Sequence, residues 1–226
     1  MKLLNAPYID QTADWPTGCE SVSAVMLLKY LGLDTDVADF VDGCLEKRPM
    51  IRHADGSLEG PDPRLYFAGD PRDPDSFGCY SGVIKSALER AFSARGLLDK
   101  PACAATDSDD PAQAVPEKYV VDDLTGVPIE TILSDYIDRG MPVVFWTSID
   151  LKETIPGPDW RITDSTDTFH WISNEHCVLL VGYDDDELIY NDPWTNNGVV
   201  RADRELVLKR HAEEHSMAVG VRRVEP

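Results

Sequence analysis

Apolar side chains fall at helical intervals up to Gly140 and gather into short continuous runs after it. Val22, Val25, Met26, Leu28 and Leu31 recur three or four positions apart, the spacing of one helix face. The run Asp14-Trp15-Pro16-Thr17-Gly18 breaks the chain just before them, so a helix is predicted from near Cys19 to Gly32. A second short helix is predicted within residues 33–44, with Asp34 or Thr35 as its cap. Helical spacing returns over residues 81–95 through Val83, Ile84, Ala87, Leu88 and Ala91. It returns again over residues 128–139 through Ile129, Ile132, Leu133, Tyr136 and Ile137, ending at Gly140. Residues 142–147, 177–183, 187–191 and 217–222 are instead short runs of Val, Leu, Ile and aromatics bounded by Gly, Asp and Asn, and they predict strands. Asp184-Asp185-Asp186 has the composition of a turn and joins two of them as an antiparallel hairpin. A last helix is predicted near residues 203–211.

Helices first and strands later are the mark of an α+β domain, not of a doubly wound sheet. The 226 residues suit one buried core, with no internal repeat and no boundary, so residues 1–226 are read as a single domain. Residues 46–80 are dense in Pro and Gly, as in Gly60-Pro61-Asp62-Pro63, and predict an irregular loop able to form one wall of a groove. Residues 100–116 read as an exposed polar loop.

The candidate chemistry starts at Cys19. A thiolate, not a thiol, attacks carbonyls, and the unpaired N–H groups at a helix start favour a negative sulfur. An exposed Cys19 with a lowered pKa is therefore expected, against the alternative of a cysteine packed beneath the helix. The base is assigned to His176, at the head of the strand that opens with Cys177, because a strand end is a rigid mount. His170 is the rival, in Thr168-Phe169-His170-Trp171, while His53, His211 and His215 sit in a loop or beside a late helix. Asp192 follows the next strand in Asn191-Asp192-Pro193-Trp194, where antiparallel pairing would set its carboxylate beside His176 and fix the imidazole tautomer. Asn191 is the alternative for that role, and Asn-Asp-Pro is also an ordinary turn sequence. Gln11, ahead of Cys19, is a candidate side-chain donor to an oxyanion, beside the backbone N–H of Cys19.

Charge and cysteine content narrow the classes. The 41 acidic against 21 basic side chains leave a net charge of -20, which repels phosphate backbones and argues against a nucleic-acid partner. Five cysteines, Cys19, Cys44, Cys79, Cys103 and Cys177, show no C-x-x-C pair and suggest neither a disulfide framework nor a zinc ribbon. No apolar stretch approaches the roughly 20 residues that cross a bilayer. The amino terminus lacks the apolar core of a secretory signal, so a cytoplasmic location is expected, or a secreted or cell-surface one if a signal has been trimmed.

Tyr8-Ile9-Asp10-Gln11 followed by Pro16-Thr17-Gly18-Cys19-Glu20-Ser21 resembles the nucleophile region of bacterial peptidases related to the bacteriocin-processing, double-glycine leader peptidases. Asn174-Glu175-His176-Cys177-Val178-Leu179-Leu180-Val181-Gly182-Tyr183-Asp184 resembles their histidine strand, and Tyr190-Asn191-Asp192-Pro193 their acidic motif. Phe67-Ala68-Gly69-Asp70-Pro71 and Gly78-Cys79-Tyr80 resemble their connecting region. The resemblance implies a papain-like cysteine peptidase fold, its helical half carrying the nucleophile against an antiparallel sheet. It implies a stand-alone enzyme that hydrolyses peptide bonds of a peptide or protein substrate through a Cys-His-Asp triad and a thioester, with no metal or organic cofactor. By position the roles are nucleophile for Cys19, acid-base for His176, orienter for Asp192 and oxyanion donor for Gln11. Glu20 departs from the pattern, standing where leader-processing transporter domains usually have Gly. Two further readings keep the same fold: a catalytically silent peptide-binding module, and a cell-wall amidase or acyltransferase.

Overall fold

The computed structural model describes residues 1–99 and 118–224. Its elements, in chain order, are β1 (Lys2–Leu3), α1 (Cys19–Tyr30), α2 (Val37–Gly43), β2 (Lys47–Arg48), β3 (Ile51–Arg52), β4 (Leu58–Gly60), β5 (Phe67–Ala68), α3 (Ser81–Ser93), β6 (Tyr119–Asp123), α4 (Ile129–Ile132), β7 (Val143–Ser148), β8 (Pro156–Ile162), β9 (Thr168–Ile172), β10 (Glu175–Tyr183), β11 (Glu187–Asp192), β12 (Gly198–Asp203), α5 (Arg204–Glu213) and β13 (Ala218–Arg223). Helices and an antiparallel sheet make this an α+β fold, as the sequence predicts.

The main sheet runs β12-β11-β10-β7-β13-β6, and every pairing in it is antiparallel. β1 pairs with the far end of β10, Lys2 opposite Tyr183 and Leu3 opposite Gly182. A Cβ on Gly182 would come within 2.3 Å of the Lys2 carbonyl oxygen, so only glycine lets the amino-terminal strand close on β10. β10 is buried from Glu175 through Gly182, which fits a strand covered on both faces and explains its unbroken apolar run.

α1 packs on β10 and β7, while α3 lies against β6 and β13. Cys19 through Leu28 are all buried, including Glu20, Ser21 and Ser23. The sequence predicts one apolar stripe, but α1 is enclosed all round, so its polar residues need partners inside the protein. The Ser23 hydroxyl finds one in the Cys177 carbonyl of β10 at 3.2 Å.

Several boundaries differ from expectation. α2 is entered through Asp36, not Asp34 or Thr35, because the Thr35 hydroxyl accepts a hydrogen bond from Arg95 at 2.8 Å and does not cap. The helix predicted over 128–139 is a single α turn that widens into a π turn over Leu133–Ile137. Residues 46–80 are not wholly irregular: β2 pairs with β5 in parallel, and β3, β4, β8 and β9 form a separate four-stranded sheet. That sheet covers a second aromatic cluster of Trp160, Phe169 and Trp171, joined by Phe77 and Tyr80. The polar loop expected at 100–116 lies outside the described residues. No helix among the described residues is long and apolar enough to cross a membrane.

Candidate active site

His176 is the second residue of β10, and its Nε2 lies 2.6 Å from Asp192 Oδ1 at the end of β11, with both side chains buried. The register that sets Leu179 opposite Asn191 brings the two ends together. Asp192 Oδ1 also accepts the Trp194 N–H at 2.9 Å, and Oδ2 accepts the Asn197 side-chain amide at 3.0 Å. Burial raises the Asp192 carboxyl, but the hydrogen bond and charge of His176, with Asn197 and the Trp194 N–H, outweigh it and hold it below the usual carboxylate range. An ionised Asp192 can only accept, so Nε2 carries the proton of that bond and Nδ1 is left as the exchanging nitrogen. Asn191 is not the partner: its amide donates to the carbonyls of Ala6 and Pro7, each at 3.2 Å.

Cys19 begins α1 and shares with His176 a cavity of about 250 Å³, also lined by Gln11, Phe77, Trp171 and Glu175. Phe77, with Pro74 and Ser76, comes from the loop expected to form a wall. The larger hollow of about 460 Å³ behind that loop shares Ser76 and Phe77 with this cavity but reaches none of Cys19, His176 or Asp192.

The sulfur is not in the state that the sequence predicts. Cys19 is only 7% exposed, and its thiol is pushed well above its ordinary pKa by burial and by the charges of Glu20 and Glu175. Sγ donates to Glu20 Oε2 at 3.3 Å, and Glu20 Oε1 accepts the Cys79 N–H at 2.6 Å. Glu20 also accepts from its own backbone N–H, so its carboxylate takes the anion-favouring position at the helix start that was expected to serve the sulfur. Burial lifts Glu20 to about 6 against those hydrogen bonds and the charge of His176. Glu175 is raised by burial, then by Glu20 and Glu214. The Trp146 indole lies close enough to ease this, but neither Trp146 Nε1 nor Glu175 Oε1 has a hydrogen-bond partner. One donor atom each from Cys19, Glu20 and Glu175 lies within 4.8 Å of the others.

Gly78 marks how closely the two carboxylates approach. A Cβ there would stand 2.6 Å from Glu20 Oε1 and 3.3 Å from Glu175 Oε2. Gly78→Ala is therefore expected to displace Glu20 from the Cys79 N–H and destabilise the fold by about 1–3 kcal/mol, read from the urea midpoint.

Gln11 also lines the cavity, but its Nε2 donates to the carbonyls of Trp15 at 3.2 Å and Pro16 at 3.4 Å, while Oε1 has no partner. Its backbone N–H binds the Pro193 carbonyl at 2.9 Å, tying its loop to the turn after Asp192. The other histidines lie elsewhere. His170 is exposed and pairs with Asp159 at 2.7 Å, and His53 pairs with Glu59 at 3.4 Å. His211 is buried, donates Nδ1–H to the Trp146 carbonyl at 2.9 Å and is pushed down to about 4 by burial. Sequence reasoning brought out Cys19, His176, Asp192 and Gln11 but missed the roles of Glu20, Glu175, Trp194 and Asn197. Glu20 was visible as a charged residue inside an apolar helix, and Glu175 as one heading a buried strand.

The Peptidase_C39 like family matches residues 3–215, nearly the whole chain. The chain belongs to this family. Among curated proteins it is similar to the uncharacterized protein YvpB of Bacillus subtilis (strain 168), 25% identical over 177 residues. That match covers 78% of this chain, and the chain spans 58% of the relative's length. Among solved structures it resembles in fold a candidate C39-like peptidase from Bacillus anthracis, with a TM-score of 0.74, 22% identity and coverage of 100% of this chain and 98% of that one. Membership in the Peptidase_C39 like family makes this a cysteine-peptidase-like protein.

Proposed function

We propose that the chain is an active cysteine peptidase of papain-like architecture. Cys19 is the nucleophile, His176 the acid-base, Asp192 its orienter and Gln11 an oxyanion donor. The observation that carries the reading is the buried 2.6 Å hydrogen bond from His176 Nε2 to Asp192, made at the cavity that His176 shares with Cys19.

In the proposed reaction the Cys19 proton passes to His176 Nδ1 as sulfur attacks a peptide carbonyl, and Asp192 stabilises the imidazolium so formed. The oxyanion takes hydrogen bonds from the Cys19 backbone N–H and from Gln11 Nε2, which turns from its long bonds to Trp15 and Pro16. His176 then protonates the leaving amine as the C–N bond breaks, leaving a thioester. Water, deprotonated by the same nitrogen, attacks that thioester, and the carboxylic acid leaves as the thiol is restored. Peptide or protein chains are the substrate class; the cavity contains nothing that argues for a double-glycine leader in particular.

A second reading, a silent peptide-binding module, is favoured by one observation: the Cys19 thiol is buried and hydrogen-bonded to Glu20, and burial, with Glu20, raises its pKa. Acid-quenched mass spectrometry of the protein mixed with a peptide pool separates the two. The peptidase reading expects cleavage products and a hydroxylamine-labile adduct on the fragment containing Cys19. Binding with neither cleavage nor adduct would leave only the module.

A further inference from the structure

Two buried carboxylates beside a buried thiol need an explanation that peptide hydrolysis does not supply. Glu20 is fully buried and Glu175 is 8% exposed, and no lysine or arginine among the described residues pairs with either. Acidic groups taken out of water are costly unless they are paired, share a proton or coordinate a metal ion. Here the side chain of Glu175 is the independent sign, since the residue is more than nine-tenths buried and the nearby Trp146 indole eases its charge without completing a hydrogen bond to Oε1. Its other oxygen and Glu20 Oε1 both stand where a Cβ on Gly78 would project, and a donor atom of each residue lies within 4.8 Å of the sulfur of Cys19.

We propose that Cys19, Glu20 and Glu175 form a binding site for a thiophilic divalent cation of the zinc type, and that occupation of this site silences Cys19. Sγ and Glu20 Oε2, 3.3 Å apart, already stand near the roughly 3.5 Å that separates a sulfur and an oxygen ligand on one tetrahedral zinc ion. All three donors fall within 4.8 Å of one another. One thiolate and two carboxylates offer three negative charges to a dication, and the sulfur selects zinc, cobalt or copper over calcium and magnesium. Three protein ligands leave a fourth position, and two of the three, Cys19 and Glu175, line the cavity shared with His176. Binding takes the Cys19 sulfur as thiolate and Glu175 as carboxylate: the S–H bond and the carboxyl O–H bond break, metal–sulfur and metal–oxygen bonds form, and both protons leave to solvent. No electron is transferred. The sulfur lone pair that would attack a carbonyl is then held by the metal.

The site is read by binding, so its test does not depend on the peptidase reading. Cobalt chloride added to the whole protein under reducing conditions should produce a sulfur-to-cobalt absorption band that saturates at one equivalent. Zinc should displace it, while calcium and magnesium should not. Calorimetry with zinc in buffers of different ionisation enthalpy should show at least one proton released. Cys19→Ser should abolish the band, and Glu175→Gln and Glu20→Gln should each weaken zinc binding at least tenfold, with circular dichroism confirming that each variant is folded. If the peptidase reading is also correct, one equivalent of zinc stops hydrolysis and a chelator restores it. Absence of the band in the wild type, its persistence in Cys19→Ser, or zinc binding unchanged by both Glu→Gln variants would overturn the proposal. The last two results would place the metal on another cysteine or on the acidic surface.

Discussion

Replacement of Cys19 by alanine is expected to lower kcat for peptide hydrolysis on the order of 10⁴- to 10⁶-fold, with KM changed far less. The loss is large because the thioester route disappears with the sulfur, leaving only substrate positioning and the oxyanion donors. His176→Ala should fall in the same range, since the imidazolium that Asp192 stabilises can no longer form and Glu20, which accepts from the thiol, lacks that partner. The double variant should be little worse than either single one, because the residues act as a unit. Asp192→Asn tests a finer point: the amide oxygen can still accept from Nε2, so the tautomer survives while stabilisation of the imidazolium is lost. Single-turnover kinetics on a cleaved peptide would measure all four. A Cys19→Ala protein that hydrolyses at the wild-type rate would dispose of the nucleophile assignment.

The second large effect concerns stability and centres on Glu214. Both of its carboxylate oxygens are buried without hydrogen-bond partners, and burial, then the charge of Glu213, pushes its carboxyl up to about 8. The folded protein thus holds a proton that the unfolded chain releases above the ordinary glutamate value near 4.3. Because the native state binds more protons, stability falls as pH rises, by up to about 1.4 kcal/mol per pH unit between roughly 4.5 and 8. It is fully present below the unfolded value and lost above about 8. Glu20 and Glu175 are raised as well and act in the same direction. Glu214→Gln keeps the volume and removes the titration. Its urea midpoint should match wild type near pH 4.5 and exceed it by an amount worth several kcal/mol near pH 9. A wild-type to variant gap that does not change with pH would show that Glu214 does not titrate in this way.

The strands were the most legible part of the chain. The apolar runs at 142–147, 177–183, 187–191 and 217–222 each lie within a residue or two of an observed strand, because these strands are buried and short-range sequence carries burial directly. β8 and β12 went unread for the opposite reason: their side chains are largely exposed and leave no apolar run. The alternating Tyr119 and Val121 of β6 were too brief a signal beside an acidic end.

The sequence by itself determined the fold class, the helix that opens at Cys19 and the strands that carry His176 and Asp192. Each rests on local periodicity and turn chemistry, which a short stretch of chain contains in full. Only the tertiary structure decided that Asp192 and not Asn191 meets His176, since the two neighbours point to opposite faces of β11 and one register chooses between them. It alone also set Glu20 and Glu175 against the Cys19 sulfur, turning a helix start expected to lower a thiol's pKa into one where burial and two carboxylates raise it. A pKa depends on burial and on the charges that packing brings near. Glu20 stands beside Cys19 in the sequence, but the burial of both and the approach of Glu175 are not written there.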